Sequence, residues 1–316
     1  MNDFKYTNNN KRYHTLDYHY KTLFNSKVYK VSINGGFTCP NKDGTKGING
    51  CIYCSKTGSG EFGGNPTKDL VEQFNEVNEV MKKKWPNSKV IGYFQANTNT
   101  YDKIENLKEK YETILKQDNV IGLNIATRPD AIDNECLDYL EELNKKTYLT
   151  IELGLQTIKE ETSKWINRCH TLQEFDDMVK KLRERNINVV VHIINGLKNE
   201  TEEDMLNTIK HINNLDIQGV KFHMLCVLKN TRLEKEYKDN PFHILTKEEY
   251  IDILIKQLEL LRPEIVIHRI CADPDPNDLI EPNWVIKKFI VMNDLDKEMK
   301  KRDTYQGKYA DISNNN

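Results

Sequence analysis

Val28-Tyr29-Lys30-Val31-Ser32-Ile33-Asn34 runs into Gly35-Gly36-Phe37-Thr38-Cys39-Pro40, and the loop it opens closes on Gly50-Cys51-Ile52-Tyr53-Cys54. The opening residues are largely apolar and β-branched and stop at a glycine pair, which reads as a strand. Comparable runs recur at 90–95, 120–127, 148–156, 188–196 and 220–228. Amphipathic stretches separate them, at 67–84, 103–117, 133–145, 171–186 and 202–214. Pro66 and Thr67 are suited to opening the first helix, and Asp133 to capping the third. Strand then helix, six times over, predicts an α/β fold with parallel strands and right-handed crossovers. Six units are too few to close an eight-stranded barrel, so the expected architecture is a partial (β/α)6 TIM-like barrel. An open doubly wound sheet has the same periodicity and remains an alternative.

After residue 228 the pattern changes. A helix is expected at 247–261, stopped by Pro263, then a short strand at 265–270. A proline-rich loop, Asp273-Pro274-Asp275-Pro276, leads to a last helix at 283–300. The expected organisation is a basic, aromatic arm over 1–27, the barrel over 28–230, and a C-terminal α/β extension over 231–316. No stretch has the composition of a domain linker.

The 316 residues are 30% charged, with a net charge of -2. No apolar run approaches the ~18 residues of a membrane helix. Met1 to Lys5 lack the apolar core of a secretory signal. A cytoplasmic location without a membrane partner is therefore expected, and the seven cysteines should be thiols or ligands, not disulfides. Residues 1–30 carry six Lys/Arg against two Asp, with Tyr6, Tyr13, Tyr18, Tyr20 and Tyr29 among them. Such a mixture can grip phosphates and stack bases. It equally describes an arm whose tyrosines pack on the body. The asparagine runs at 8–10 and 314–316 read as frayed ends.

Chemistry in parallel α/β folds collects at the carboxyl ends of the strands. The spacing Cys39-x11-Cys51-x2-Cys54 follows strand one. Gln95, Asn97, Thr98 and Asn99 follow strand two, and Thr127, Arg128, Pro129 and Asp130 follow strand three. Glu152, Gly154 and Gln156 end strand four; His192, Asn195 and Gly196 end strand five; His223, Cys226 and Lys229 end strand six. Core packing does not ask for polar groups at most strand ends. Three thiolates on one loop suit three irons of a four-iron cluster, leaving the fourth open to another ligand. Zinc is the alternative, but a closed zinc site takes four protein ligands. Cys136, His14 and His19 lack ligand-like spacing.

The loop, with Tyr53 just before its last cysteine, resembles the radical S-adenosylmethionine superfamily. The eleven-residue gap departs from the usual Cys-x3-Cys-x2-Cys and resembles the YtqA/YhcC family, relatives of the Elongator catalytic subunit. The likeness covers nearly the whole chain, through Tyr93 to Tyr101, Thr127 to Asp130, Glu152 to Gln156, Asn167-Arg168-Cys169-His170-Thr171, His192 to Leu197, Lys221 to His223 and Leu228 to Thr231. It continues through His268-Arg269 and Lys300 to Lys308. Lys198 and Asn199 stand where Gly-Leu-Pro-Gly-Glu-Thr is common, and Asn230 where glycine is frequent.

The resemblance implies a 4Fe-4S cluster on Cys39, Cys51 and Cys54, one per chain. The methionine amine and carboxylate of S-adenosylmethionine would complete the open iron, and reduction would release a 5′-deoxyadenosyl radical. It implies cofactor contacts from Tyr53, Gln95, Asn97, Glu152, Gln156, Arg168, His192, Gly196 and Leu228. Of these, Glu152 would take ribose hydroxyls or the amine, Gln95 and Asn97 the amine, and Arg168 the carboxylate. Arg128 or Asp130 is expected to face substrate. Cys169, Cys226 and Cys271 are thiols of the kind a radical enzyme can recruit as hydrogen donors, although inert buried cysteines are commoner. The family further implies tRNA as partner, at the carbon-5 substituent of a wobble uridine, and an external electron donor of the flavodoxin or ferredoxin kind. Basic segments at the N-terminus and at 297–308 would hold RNA. The same chemistry on a small metabolite or protein side chain, and a non-catalytic metal-stabilised module, are the competing readings.

Overall fold

The structure, a computed structural model, describes residues 4–58 and 63–310. In chain order the elements are α1 (Leu16–Phe24), β1 (Val28–Ile33), α2 (Leu70–Lys84), β2 (Lys89–Phe94), α3 (Ile104–Leu115), β3 (Val120–Thr127), α4 (Asn134–Asn144), β4 (Tyr148–Gln156), α5 (Glu160–Trp165) and α6 (Leu172–Glu184). They continue as β5 (Asn188–Asn195), α7 (Glu202–Asn213), β6 (Gly219–Met224), β7 (Val227–Leu228), α8 (Arg232–Asp239), α9 (Lys247–Leu260), β8 (Val266–Arg269), β9 (Leu279–Glu281) and α10 (Lys288–Lys301).

Among the described residues, seven strands follow one another in the order β1-β2-β3-β4-β5-β6-β8. The pairs β1/β2, β2/β3, β3/β4 and β6/β8 are parallel. A doubly wound sheet reverses its strand order at a switch point. This order never reverses, so the fold class is the α/β partial barrel. The run at 220–228 splits into β6 and β7, and β7 pairs antiparallel with β9. The strand expected at 265–270 is β8, a seventh member of the sheet.

The chain divides into two compact units. One, called here the loop unit, combines Tyr20–Gly154 with Cys169–Val190. The other, the C-terminal unit, combines the described residues of Met1–His19, Leu155–Arg168 and Val191–Asn316. The loop unit buries Ile33, Ile91, Phe94, Leu107, Leu123 and Phe175; the C-terminal unit buries Val191, Phe222, Leu254, Leu258, Val291 and Leu295. Each such side chain contributes about 1.5–3 kcal/mol by leaving water.

Helix starts follow side-chain chemistry. Asp133 accepts from Cys136 N at 2.8 Å, as expected of a cap. The first long helix begins at Leu70, not at Pro66–Thr67, because Asp69 takes Glu72 N at 2.8 Å while Thr67 bonds to Asn65. Thr171, Thr201 and Thr246 each form a reciprocal capping box.

The arm's aromatic residues pack. Tyr6 stacks on His14 with centroids 4.6 Å apart, and Phe4 and Tyr13 are buried. Lys11 pairs with Asp296 at 2.5 Å and Arg12 with Asp303 at 3.0 Å. In the 297–308 segment Arg302 meets Asp252 and Glu298, and Lys301 meets Glu298. These cations face carboxylates, so the packed arm is the better description of the N-terminus. The asparagines at 8–10 form an exposed turn in which Asn9 Oδ1 accepts from Lys11 N at 2.8 Å; those at 314–316 lie outside the described residues. Among the described residues no helix is long and apolar enough to cross a membrane.

Candidate active site

The cysteine loop leaves β1 through Asn34, whose backbone is held at both polar groups by Gln73 of α2, at 3.0 and 3.2 Å. Phe37 is buried against Phe94, and Lys110 lies over its ring while donating to Gly35 O at 2.7 Å. The eleven-residue gap then folds back on itself. Lys42 N donates to Cys39 O at 2.8 Å, Lys46 N to Pro40 O at 2.8 Å, and Gly50 N to Asn41 O at 2.7 Å. Asp43 and Ile48 form an antiparallel bridge. Gly44, Asn49 and Gly50 adopt positive φ, which the reversals require and which glycine and asparagine tolerate. The long gap therefore returns Cys51 to Asn41, two residues past Cys39.

All three loop cysteines are half-buried. Burial pushes the Cys51 thiol up; Arg128 and hydrogen bonds from Tyr53 and Asn41 oppose this. Asn41 Nδ2 lies 3.7 Å from Cys51 Sγ. Arg128 stands near enough to Cys51 and Cys39 for each to favour its charge. Its guanidinium grips Asp130 through two 2.9 Å bonds, leaving the Asp130 side chain 1% exposed. Arg128 therefore lies near the thiols with Asp130 held against it; the sequence predicts that Arg128 or Asp130 faces substrate.

Other predicted residues of the loop unit are engaged with one another. Asn97, at φ +60, accepts Lys42 Nζ at 2.9 Å, and Gln95 accepts Ser32 Oγ at 3.3 Å. Asn99 Nδ2 donates to Ala126 O at 2.7 Å, which ties the turn after β2 to β3. Glu152 is 1% exposed and lies between Lys30 Nζ at 3.0 Å and Asn124 Nδ2 at 2.7 Å, with Lys30 over the Tyr93 ring. Its carboxylate is thus committed to a buried cluster.

In the C-terminal unit, Gln156 has φ +62, and Thr157 N bonds back to Leu155 O at 2.8 Å. This is a γ-turn of the rare, strained hand. Arg168 secures it, its Nη1 donating to Leu155 O and to Thr157 O, the latter at 2.7 Å. That nitrogen is occupied by the chain, whereas the resemblance implies a bound carboxylate. Among the described residues, Gln156 Oε1 is buried with no hydrogen-bond donor. A donor such as a water or an ammonium group would satisfy that acceptor. His192 packs on His223 at 5.2 Å. Gly196 has φ +79, and a Cβ there would meet Leu245 Cδ1 at 2.9 Å, so both backbone and space demand glycine. Leu228 pairs with Leu279 in the β7/β9 ribbon. Glu200, which accepts Thr157 Oγ1 at 2.5 Å, is pushed by burial up to about 7.

Sequence reading missed Asn41, Lys42, Lys30, Asn124 and Glu200. Each is polar; Asn41 and Asn124 are buried and the other three half-buried, and their partners are set by the tertiary fold. Among the described residues, no three His, Cys, Asp or Glu side chains converge as ligands of one ion. An iron–sulfur cubane instead takes one thiolate on each of several irons. Three thiols on one folded loop, one of them facing an amide donor, fit that demand.

The Radical SAM superfamily model matches residues 42–212, and the Radical_SAM C-terminal domain model matches 217–301. The chain is 46% identical over 308 residues to Uncharacterized protein YtqA of Bacillus subtilis, covering 98% of this chain and 96% of that one. It is 30% identical to Protein YhcC of Escherichia coli, covering 87% and 88%. Among solved structures, the archaeal Elp3 of Methanocaldococcus infernus matches with a TM-score of 0.66 at 18% identity, over 89% of this chain and 64% of that one. At that identity the likeness speaks for the fold.

Proposed function

The chain belongs to the radical SAM superfamily, in the group of YtqA- and YhcC-like proteins, and on that premise we propose that it modifies tRNA. The proposed target is the carbon-5 substituent of a wobble uridine, taken from carboxymethylaminomethyl towards aminomethyl or methylaminomethyl. The chain is a radical SAM enzyme, which sets aside the non-catalytic module. Membership implies a 4Fe-4S cluster and S-adenosylmethionine. When bound, these supply a one-electron cleavage of the sulfonium and a radical able to take hydrogen from an unactivated carbon.

The protein's share is holding and orienting. Cys39, Cys51 and Cys54 hold the cluster. Gln156 Oε1 offers an acceptor to the methionine amine, with Arg168 fixing the turn that presents it. Tyr53, Asn97, His192, Gly196 and Leu228 are retained as further cofactor contacts. Glu152 and Gln95 are proposed as cofactor contacts too, held by Lys30 and Asn124 and by Ser32 respectively. An external flavodoxin- or ferredoxin-type donor supplies the electron.

The folded cysteine loop is the observation that supports the enzyme assignment; the substrate rests on the family's resemblance to the Elongator catalytic subunit. The test is the nucleoside profile of tRNA from cells with and without this protein. Loss of the aminomethyl or methylaminomethyl form, with carboxymethylaminomethyl accumulating, is expected. An unchanged wobble-uridine profile would overturn the tRNA reading and leave the metabolite or protein substrate. Separately, Cys51→Ala should abolish 5′-deoxyadenosine release from the reconstituted, reduced protein.

A further inference from the structure

We propose that Asn41 is a positioning residue that raises the reduction potential of the cluster through a hydrogen bond from its side-chain amide to the Cys51 sulfur. The proposal rests on the reading of Cys39, Cys51 and Cys54 as cluster ligands. Asn41 is fully buried, and its Nδ2 lies 3.7 Å from Cys51 Sγ, within the range of an N–H···S bond. The sulfur fixes which end of the amide faces it, since a carbonyl oxygen against a thiolate would repel.

The eleven-residue gap encloses this side chain. Asn41 O accepts Gly50 N at 2.7 Å, tying the amide's own residue to the neighbour of Cys51. Gly47 passes over the amide so closely that a Cβ there would lie 2.2 Å from Asn41 Oδ1 and 2.9 Å from Cys169 Sγ. One-electron reduction adds negative charge that the cluster shares with its thiolates. A buried donor stabilises that state more than the oxidised one, and hydrogen bonds to the sulfurs are a recognised control of cluster potential.

The test uses the full chain reconstituted anaerobically, as wild type, Asn41→Leu and Asn41→Asp. Both variants keep the side chain's approximate size. The first removes the donor; the second replaces it with an acceptor. Iron and sulfide per chain report loading, and an EPR-monitored redox titration reports potential. Full loading with the potential falling from wild type to Leu to Asp is the expected result. Full loading with an unchanged potential in both variants overturns the proposal. A purely structural role would lower the iron count without ordering the potentials in this way.

If neither variant loads, the wild type decides. Protein carrying 15N only in asparagine side chains should show a nitrogen coupling in pulsed EPR of its reduced cluster, and absence of that coupling overturns the proposal. A wild-type chain that takes up no cluster fails the ligand reading itself, which the iron count shows before any potential is measured.

Discussion

Glu200 shows how one residue can carry a pH dependence that its neighbours hide. Burial pushes its carboxyl from an ordinary 4.5 to about 7, helped by Asp204 and opposed by Thr157, Thr162 and Lys159. The folded-state value is the higher one. Its contribution to stability is therefore complete below about pH 4.5 and is lost as pH rises through 7. Glu200→Gln keeps an acceptor for Thr157 and removes the titration. The variant should match the native chain near pH 4, gain through pH 5–7, and level off above 7. The gain there should be on the order of 3 kcal/mol, since each tenfold change in proton affinity is worth ~1.4 kcal/mol. Thermal melts at pH 4, 6 and 8 check this; an advantage that does not grow with pH would show the site to be solvated. Little of this was legible, because Glu200 sits in a turn motif and reads as exposed. The cysteines were legible because thiol spacing is itself chemistry. Asn199 and Asn230 were legible as departures from glycine, and their φ values of +64 and +61 explain them: asparagine is the side chain that best tolerates left-handed backbone.

At the scale of elements, strands were read well because each apolar run ends abruptly in glycine or polar residues. β3 and β4 occupy the expected 120–127 and 148–156. Helix α1 was missed. Its sequence, LDYHYKTLF, is rich in aromatics with middling helix propensity, and its packing, with Tyr20 buried, lies outside what a local window contains. β7 and β9, of two and three residues, are too short to show a period. What joins β1 to β4 was also hidden, since Lys30 and Glu152 are 122 positions apart. Removing one member of a buried ion pair costs about 3–5 kcal/mol. Lys30→Met and Glu152→Leu should each destabilise on this scale, and the double variant should lose clearly less than the sum. Urea unfolding of the four proteins gives the coupling. Strict additivity would mean that the 3.0 Å contact contributes nothing.

For the whole molecule, the informative fact is that each unit is assembled from separated segments. In the C-terminal unit the two ends of the described chain meet. Thr15 bridges Ile267 in parallel, and Ile267 N donates to His14 O at 2.8 Å, so the arm covers the edge of β8. Gln306 locks this closure. Its N donates to Arg12 O at 2.8 Å, its Oε1 accepts His14 N at 2.8 Å, and its Nε2 donates to Arg262 O and Ile265 O at 2.9 and 2.8 Å. The residue is fully buried within a tract that reads as solvent-facing because lysine and arginine surround it. No local pattern reveals a bond between residues 14 and 306. Gln306→Ala would strand one N–H and two carbonyls, at ~1 kcal/mol or more each. The melting temperature should therefore fall by roughly 5 °C or more. Hydrogen exchange should speed at His14 and Ile267 while the amides of β2 and β3 keep their rates relative to one another. Lys301→Ala, which loses one exposed ion pair, should shift the melt by less than about a degree or two. Equal effects of the two substitutions would show that the closure adds no stability.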